Sequence, residues 1–443
     1  MQDLIPQVRA PNPLDRQSLD VLVVGGGIVG ACVARDAAMR GLAAGLCEMQ
    51  DFAAGTSSRS SRLLHGGIRY LAQGRIGLVR EAGREKAVLH RIAPHLFTPL
   101  PFLYPSLKGG PWSPSMLRVG TWIYDQLARS PDEPRSRRVP MDEIARLAPG
   151  IDLGRLRGAV SYSDAMTNDS RLVIDTLLSA AAHGARVRNY LKLMEARRVG
   201  SAWRCRLTDT LDGSACEVEA RCVVNASGPW AGSFPQSHAR LRPTKGIHLV
   251  FPRERLPVQC AVVLTEGARI LFTIPWGERT YVGTTDTDYS GPLESPRVEP
   301  SDTAYLLEAL ARAFPSAGVR GDDIVASWAG LRPLVRKRDG SPSDISRSHE
   351  ILDAGEGWFD VTGGKLTTCR LMAEQAVDRV AHALARKTAP CRTAFEPLPA
   401  PAHSRVVPPP RDEALYARCA ETEWAVTRTD VDIRRTGWAY YAE

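Results

Sequence analysis

DVLVVGGGIVGACVARDAAMRGLAAGLCE, residues 20–48, has the pattern of a nucleotide-binding strand–helix–strand unit. Val21 to Val24 form a short apolar run that reads as a buried strand, ending in Gly25, Gly27 and Gly30 with GxGxxG spacing. Helix-patterned residues Ile28 to Arg40 follow. Glu48 closes the next strand, at the distance where a carboxylate accepts hydrogen bonds from an adenosine ribose. Gly25 permits the tight turn, Gly27 lets backbone N–H groups approach a pyrophosphate at the positive end of the helix, and Gly30 allows close helix-to-strand packing. Strand, glycines, helix and acid agree on a dinucleotide site. They do not distinguish FAD from NAD.

Composition bounds what surrounds this unit. At 443 residues, 44% hydrophobic and 24% charged, the chain has the size of two or three domains and the balance of a soluble enzyme. Its formal net charge is +8, but the basic residues are mostly Arg spread along the chain rather than gathered in a patch, so no nucleic-acid partner is expected. The 9 Cys show neither a CxxC nor a Cys/His spacing of metal-ligand type, which implies reduced thiols, a cytoplasmic location and no metal. With neither a leader-like segment nor a long apolar run, any membrane contact is expected to be peripheral, on the inner face of the cytoplasmic membrane.

The organisation reads as discontinuous. Residues 1–17 form an N-terminal tail. Segments 18–98, 158–236 and 330–389 make up the dinucleotide-binding domain, 99–157 and 237–329 a strand-rich substrate or cap domain, and 390–443 a Pro-rich linker with a shortened C-terminal segment. An amphipathic helix is expected over Ser115 to Arg129, with Met116, Leu117, Val119, Trp122, Ile123 and Leu127 as its apolar positions. Its stripe suits either burial or a membrane interface, and burial is preferred.

Two later motifs favour FAD, whose isoalloxazine ring needs support from distant segments. Gly363-Gly364 opens a helix whose N–H groups and dipole would stabilise negative charge on a reduced flavin, and Ala226-Ser227-Gly228 ends a strand where a second backbone approach to the dinucleotide is needed. In the loop 56–61, the hydroxyls of Thr56, Ser57, Ser58, Ser60 and Ser61 are natural ribityl or phosphate contacts.

Together VVGGGIVGACVARDAAMRGL (23–42), GTSSRSSRLLHGGIRYL (55–71), NASGPWA (225–231), KGIHLVFPR (245–253), GTTDTDY (283–289), GLRPL (330–334) and GGKLTTCR (363–370) resemble the FAD-dependent glycerol-3-phosphate dehydrogenases, in order over roughly residues 18–388. The resemblance implies an α/β fold, with a FAD-binding Rossmann-like domain of the glutathione-reductase and D-amino-acid-oxidase type and a strand-rich substrate domain. It implies oxidation of sn-glycerol 3-phosphate to dihydroxyacetone phosphate, with electrons passed to a quinone or another acceptor, and FAD held without a covalent link.

Flavin oxidation of a secondary alcohol requires a base for the hydroxyl proton and cations for the phosphate dianion. Arg69, Tyr70 and Arg332 match the family's phosphate positions, and an Arg fork suits phosphate oxygens. His248 is the candidate base, with a hydrogen-bonded core histidine as the alternative. Lys365 either donates to substrate oxygen or places a cation beside the flavin, and Leu366 and Thr367 continue the same flavin segment. His65, before the Gly66-Gly67 turn, supports the flavin loop. Asp286 orients either a cation or the Thr284 and Thr285 hydroxyls. Arg62 stands where the family usually has Lys, keeping the charge and altering its geometry. One departure concerns the C-terminus: TEWAVTRTDVDIRRTGWAYY (422–441) resembles the family's closing helices with the middle of that domain missing. Two other readings stay open here: a flavin oxidase or dehydrogenase of the same fold acting on another hydroxy acid or amine, and a degenerate flavin-binding protein.

Overall fold

A computed structural model of the chain describes residues 3–5, 9–130, 133–267, 269–335 and 349–441. Among these residues two sheets carry the architecture. The first, of 8 strands, contains β1 (Ser18–Val24), β2 (Ala44–Cys47), β7 (Arg186–Arg188), β8 (Leu191–Val199), β9 (Ala202–Asp209), β10 (Ala215–Asn225), β17 (His349–Gly355) and β18 (Trp358–Gly363). The second, of 10 strands, contains β3 (Leu63–Leu64), β4 (Thr98–Leu107), β5 (Arg137–Val139), β6 (Leu156–Met166), β11 (Leu241–Pro252), β12 (Ala261–Glu266), β13 (Arg269–Trp276), β14 (Arg279–Gly283), β15 (Thr287–Asp288) and β16 (Ala326–Val335).

In the first sheet β1 pairs in parallel with both β2 and β10, and β10 in parallel with β18. Helices cover this sheet: α1 (Ile28–Met39), α6 (Asp169–Ala182) and α8 (Cys369–Ala383), with α3 (Ile76–Ile92) beside them. Burial on both faces explains why β1 is continuously apolar from Val21 to Val24. Parallel pairing brings the C-terminal ends of β1, β2, β10 and β18 to one edge, the place where such sheets bind ligands. The other face is closed by the antiparallel ribbon β8–β9–β10, with Trp203 and Trp358 in its core.

The second sheet is mainly antiparallel. It buries one core against α5 (Met141–Leu147) and α7 (Pro300–Ala313), and another against α2 (Ile68–Ala72), α3 and α4 (Pro114–Ala128). The expected boundaries at 158 and 330 fall inside β6 and β16, both of which pair in this second sheet, because a strand's membership is decided by its ladder partners. Part of the expected 330–389 segment, residues 336–348, lies outside the described residues.

The two chain ends also differ from expectation. Residues 397–410 do not behave as a linker: Leu398, His403, Ser404 and Val406 are buried. They lead to α9 (Ala414–Thr422) and a wide helical turn, Asp430–Arg435, which form a small core with Ile5, Val431 and Trp438. Buried charges fasten this segment to the first domain. Arg171 on α6 meets Glu423 (2.6 Å), and Asp51, just beyond β2, takes both Arg434 (2.5 Å) and Arg435 (2.7 Å). Ile5 N–H donates to the Val426 carbonyl, and Leu14 is fully buried, so the described part of the N-terminal tail is also packed.

Candidate functional site

A cleft of about 570 Å³ opens at the shared C-terminal edge of β1, β2, β10 and β18. Its glycines are required by close approach. Gly25 has φ +110°, and a Cβ there would stand 2.6 Å from the Ala226 carbonyl oxygen at the end of β10. A Cβ on Gly30 would lie 1.9 Å from the Gly25 oxygen, so Gly30 sits beneath the turn rather than on the cleft wall. Gly27 precedes the first turn of α1, where the Ile28 N–H donates to Ser57 Oγ (3.0 Å). Glu48 lines the cleft and accepts from the N–H groups of Gly26 (2.7 Å) and Gln50 (2.9 Å). Burial raises its pKa, and these two donors oppose the rise. Each carboxylate oxygen has two lone pairs, which leaves acceptor capacity for ribose hydroxyls.

The opposite walls come from the other two strand ends. Ala226, Ser227 and Gly228 follow β10, and Gly363, Gly364, Lys365 and Leu366 follow from β18. One buried carboxylate braces both strands. Asp360 on β18 accepts from Asn225 Nδ2 (2.7 Å) and Trp358 Nε1 (3.0 Å), and its second oxygen from the His238 N–H (2.7 Å) and Ser237 Oγ (3.0 Å). Of the loop hydroxyls, Thr56, Ser57 and Ser60 reach the cleft wall. Thr56 already donates to the Leu331 carbonyl (2.6 Å) and Ser60 to Asp169 (2.7 Å), so each offers the cleft acceptor lone pairs rather than a proton. Ser58 is buried, and Ser61 faces His248. A long cleft with glycine approaches at three strand ends and a carboxylate at one extremity fits an extended dinucleotide.

His65, Gly66, Gly67 and Thr367, expected as cofactor contacts, do not line the cleft, but the His65–Gly66–Gly67 turn is tied to the GGKLTT segment, of which Gly363 to Leu366 do. The His65 N–H donates to Thr367 Oγ1 (3.1 Å), which donates to the His65 carbonyl (3.2 Å), so His65 and Thr367 hold the loop. Gly67 has φ +83°, and a Cβ there would lie 2.4 Å from the Tyr70 ring and 3.5 Å from Lys365 Nζ. The glycine thereby admits a stacked pair, Lys365 Nζ 3.9 Å from the Tyr70 ring centroid. Tyr70 is buried, with its ring beneath the ammonium, and Arg69 is half-buried beside it on α2.

Arg332 on β16 is held on several sides. It donates to Asp286 Oδ1 (3.2 Å), Thr284 Oγ1 (2.9 Å) and the Thr285 carbonyl (3.1 Å), and it passes so close to β11 that a Cβ on Gly246 would lie 2.4 Å from Nη2. Asp286 thus orients a cation, one of the two expected roles, and Thr285 Oγ1 accepts from the Ile247 N–H (3.1 Å).

His248 is only 2% exposed and stands behind this arginine. Its ring stacks on Trp328 at 4.8 Å, and Nε2 lies 2.9 Å from Ser61 Oγ. Burial lowers its pKa well below 6.5, and Arg332 and Arg62 lower it further, so the imidazole is neutral. Arg62 lies within the core, its guanidinium 4.4, 5.1 and 5.4 Å from the ring centroids of Trp276, Trp328 and Tyr440, with Nε 3.9 Å from Asp169. A planar cation fills such a cage better than an ammonium would.

Three contributors were not singled out from sequence. Asp169 lines the cleft, anchors Ser60 and faces Arg62, and its pKa is raised by burial against the pull of Arg62. The Asn-Asp-Ser run signals a helix start there, which conceals the second role. Trp230 lines the cleft 3.3 Å from the Cβ position of Gly55, with its indole N–H on Glu294 (3.0 Å). Asp360 follows a tryptophan in an otherwise apolar strand. Elsewhere His403, Cys419 and Glu423 gather atoms of metal-ligand type, but Glu423 is already engaged by Arg171 and His403.

Comparisons agree with this geometry. The model of the FAD dependent oxidoreductase family matches residues 20–379. The chain is 39% identical over 396 residues to the aerobic glycerol-3-phosphate dehydrogenase of Bacillus subtilis (strain 168), with 87% of this chain and 71% of that protein aligned. To the Staphylococcus aureus (strain USA300) enzyme of the same name it is 37% identical, with 86% and 71% covered. The crystal structure of glycerol-3-phosphate dehydrogenase from Bacillus halodurans complexed with FAD superimposes with a TM-score of 0.71 at 34% identity, covering 87% of this chain and 68% of that one. Glycine oxidase from Geobacillus kaustophilus, at 20% identity and a TM-score of 0.64, shares the fold. The chain belongs to the FAD-dependent oxidoreductases, and within them to the aerobic glycerol-3-phosphate dehydrogenases.

Proposed function

We propose that this protein oxidises sn-glycerol 3-phosphate to dihydroxyacetone phosphate. The observation that carries the reading is the fixed Arg332 fork, held by Asp286, Thr284 and the Thr285 carbonyl in a protein whose dinucleotide cleft ends at Lys365. Bound FAD would supply the acceptor for the carbinol hydride. Gly25, Gly27, Glu48, Ser227, Gly363 and Gly364 would hold it along the cleft. Arg69 and Arg332 bind the phosphate dianion, and Lys365, stacked on Tyr70, donates to a substrate oxygen. His248 takes the hydroxyl proton through Ser61: the imidazole is neutral, its Nε2 is within hydrogen-bond reach of Ser61 Oγ, and its own burial prevents direct contact.

The electron acceptor in this reading is a quinone reached at the membrane surface. None of the described helices is long and apolar enough to cross a membrane. Support for surface contact comes from α4, where Met116, Val119 and Trp122 are each more than half exposed, and from Trp112 in the turn before it, 38% exposed. Arg138 and Arg157 are hydrogen-bonded against the start of that helix and the turn before it. An apolar strip beside arginines suits an anionic interface.

Purified, FAD-loaded protein mixed anaerobically with glycerol 3-phosphate tests the substrate: the flavin absorbance should bleach, and a dye-coupled assay should yield dihydroxyacetone phosphate. Bleaching by an amino acid or another hydroxy acid in place of glycerol 3-phosphate would overturn the reading.

A further inference from the structure

Behind the His65–Gly67 turn lies a buried polar cluster that the proposed chemistry does not use. Lys86 on α3, Tyr124 on α4, Glu133 in the loop after α4 and Asp164 on β6 are all at most 3% exposed. The Gly66 N–H, itself buried, donates to Tyr124 Oη (2.8 Å), with Asp164 Oδ1 farther off at 3.4 Å. Tyr124 donates in turn to the Asp164 carboxylate (2.8 Å), and Lys86 Nζ bridges Asp164 (3.2 Å) and Glu133 (2.7 Å).

A tyrosine hydroxyl has a single proton. Its oxygen faces the Gly66 N–H productively only while that proton points elsewhere, and the Asp164 carboxylate provides the direction. Steric contact makes the arrangement tight: a Cβ on Gly66 would lie 2.8 Å from both Tyr124 Oη and the Ala128 Cβ. We propose that Tyr124 and Asp164 are positioning residues for substrate binding, which through the Gly66 N–H hold the turn that presents Arg69 and Tyr70. The inference rests on the reading of Arg69 as a phosphate ligand.

Charge state gives the device a second property. The groups facing Asp164 are Lys86 from α3, Tyr124 from α4, Glu133 from the following loop and Tyr162 on its own strand. Burial pushes the Asp164 carboxyl up to about 6, with Lys86 opposing the rise and Glu133 adding to it. A protonated Asp164 keeps one accepting oxygen, shared with Lys86, and its own proton competes for the Tyr124 oxygen, so Tyr124 accepts less well from the Gly66 N–H. Substrate affinity should therefore weaken as pH falls through about 6.

The test uses FAD-loaded wild type, Tyr124→Phe and the gentler Asp164→Asn. Amide exchange of the peptide containing residues 62–72 reads the turn directly and does not depend on which substrate is correct. In Tyr124→Phe that peptide should exchange roughly tenfold faster, the loss of one hydrogen bond, while peptides of β1 and α8 stay unchanged. KM for glycerol 3-phosphate should rise by about tenfold with kcat within about threefold. In Asp164→Asn the change of KM across a pH series straddling 6, expressed per concentration of substrate dianion to remove the phosphate's own ionisation near 6, should vanish. Unchanged exchange at the turn, or faster exchange with unchanged KM, overturns the proposal, as does a dianion-corrected pH dependence that is the same in wild type and Asp164→Asn. A wild type inert toward glycerol 3-phosphate would refute the substrate reading, and the exchange comparison would still decide whether Tyr124 holds the turn.

Discussion

Arg332 reaches its place before any substrate arrives, because Asp286 and two threonine residues already hold its donors in one orientation. Preorganisation of this kind lowers the ordering cost of capturing a dianion. Arg332→Ala should reduce kcat/KM for glycerol 3-phosphate by about 10- to 100-fold, corresponding to about 1.5–3 kcal/mol for a hydrogen bond to a charged group, with flavin content unchanged. Asp286→Asn should give a smaller loss, since the arginine keeps its other two contacts. His248 supports a separate expectation. If it takes the substrate proton through Ser61, the pH–rate profile of kcat has an acidic limb well below 6.5, and both His248→Ala and Ser61→Ala remove it. An unchanged limb in either variant would exclude the relay. Residue identities at the site were largely legible in the sequence because short motifs carry them. What the motifs do not convey is enclosure. Tyr70 and His248 sit deeper than isolated motif positions suggest, and Arg62, one of many arginines, lies inside an aromatic cage to which Tyr440 contributes from far along the chain.

Helix α4 shows how periodicity alone misleads at the scale of an element. Its limits agree with the apolar pattern to within a residue, but Leu117, Tyr124 and Ala128 face inward while Met116, Val119 and Trp122 face out. The preference for a wholly buried stripe is thus corrected: two apolar faces lie on one short helix, and a pattern reading merges them. An exposed apolar face beside arginines should bind anionic vesicles weakly and reversibly. Vesicle sedimentation at low and high salt should show binding that falls as salt rises and is lost in a Met116→Glu, Trp122→Glu variant. Salt-resistant binding that survives both substitutions would assign docking to another surface. The strands were more legible than this helix, because β11, β13 and β14 fall within the segment 237–329 read as strand-rich and the parallel strand β1 contains the apolar run Val21 to Val24. Strand membership was less so. Ladder partners are chosen in three dimensions, and nothing local in residues 156–166 or 326–335 announces the second sheet.

At the scale of the whole molecule, the C-terminal segment is fastened by buried charge as well as by apolar and aromatic contacts such as Phe52–Trp424 and Trp328–Tyr440. Burial alone would raise the Asp51 carboxyl, but Arg435 and Arg434 outweigh it and lower the pKa from 3.8 to about 2. A carboxyl depressed in the folded state adds stability that is fully present above its unfolded pKa and lost as pH falls through its folded one. Here that is about 2 kcal/mol, held above about pH 4 and gone below about pH 2. Asp51→Asn should cost more, on the order of 3–5 kcal/mol, because two guanidinium groups stay buried with one charge fewer between them. Limited proteolysis at neutral pH should then release fragments cut within residues 400–441, whereas wild type resists, and cleavage confined to the body of the enzyme would contradict this account. The apparent linker concealed this docking, since a Pro-rich composition says nothing about the charges that flank it. The long sequence intervals within the first sheet have a consequence for biosynthesis. β1 ends at Val24, and the strand that completes the parallel set, β18, ends at Gly363. At translation speeds of about 5–20 residues per second, the first strand waits roughly 20–70 s for its last parallel companion to leave the ribosome. During that interval Val21, Leu22 and Val23 have an incomplete sheet to shelter them, so the yield of folded enzyme should depend more on chaperone supply and on the pace of translation than on the stability of the finished fold.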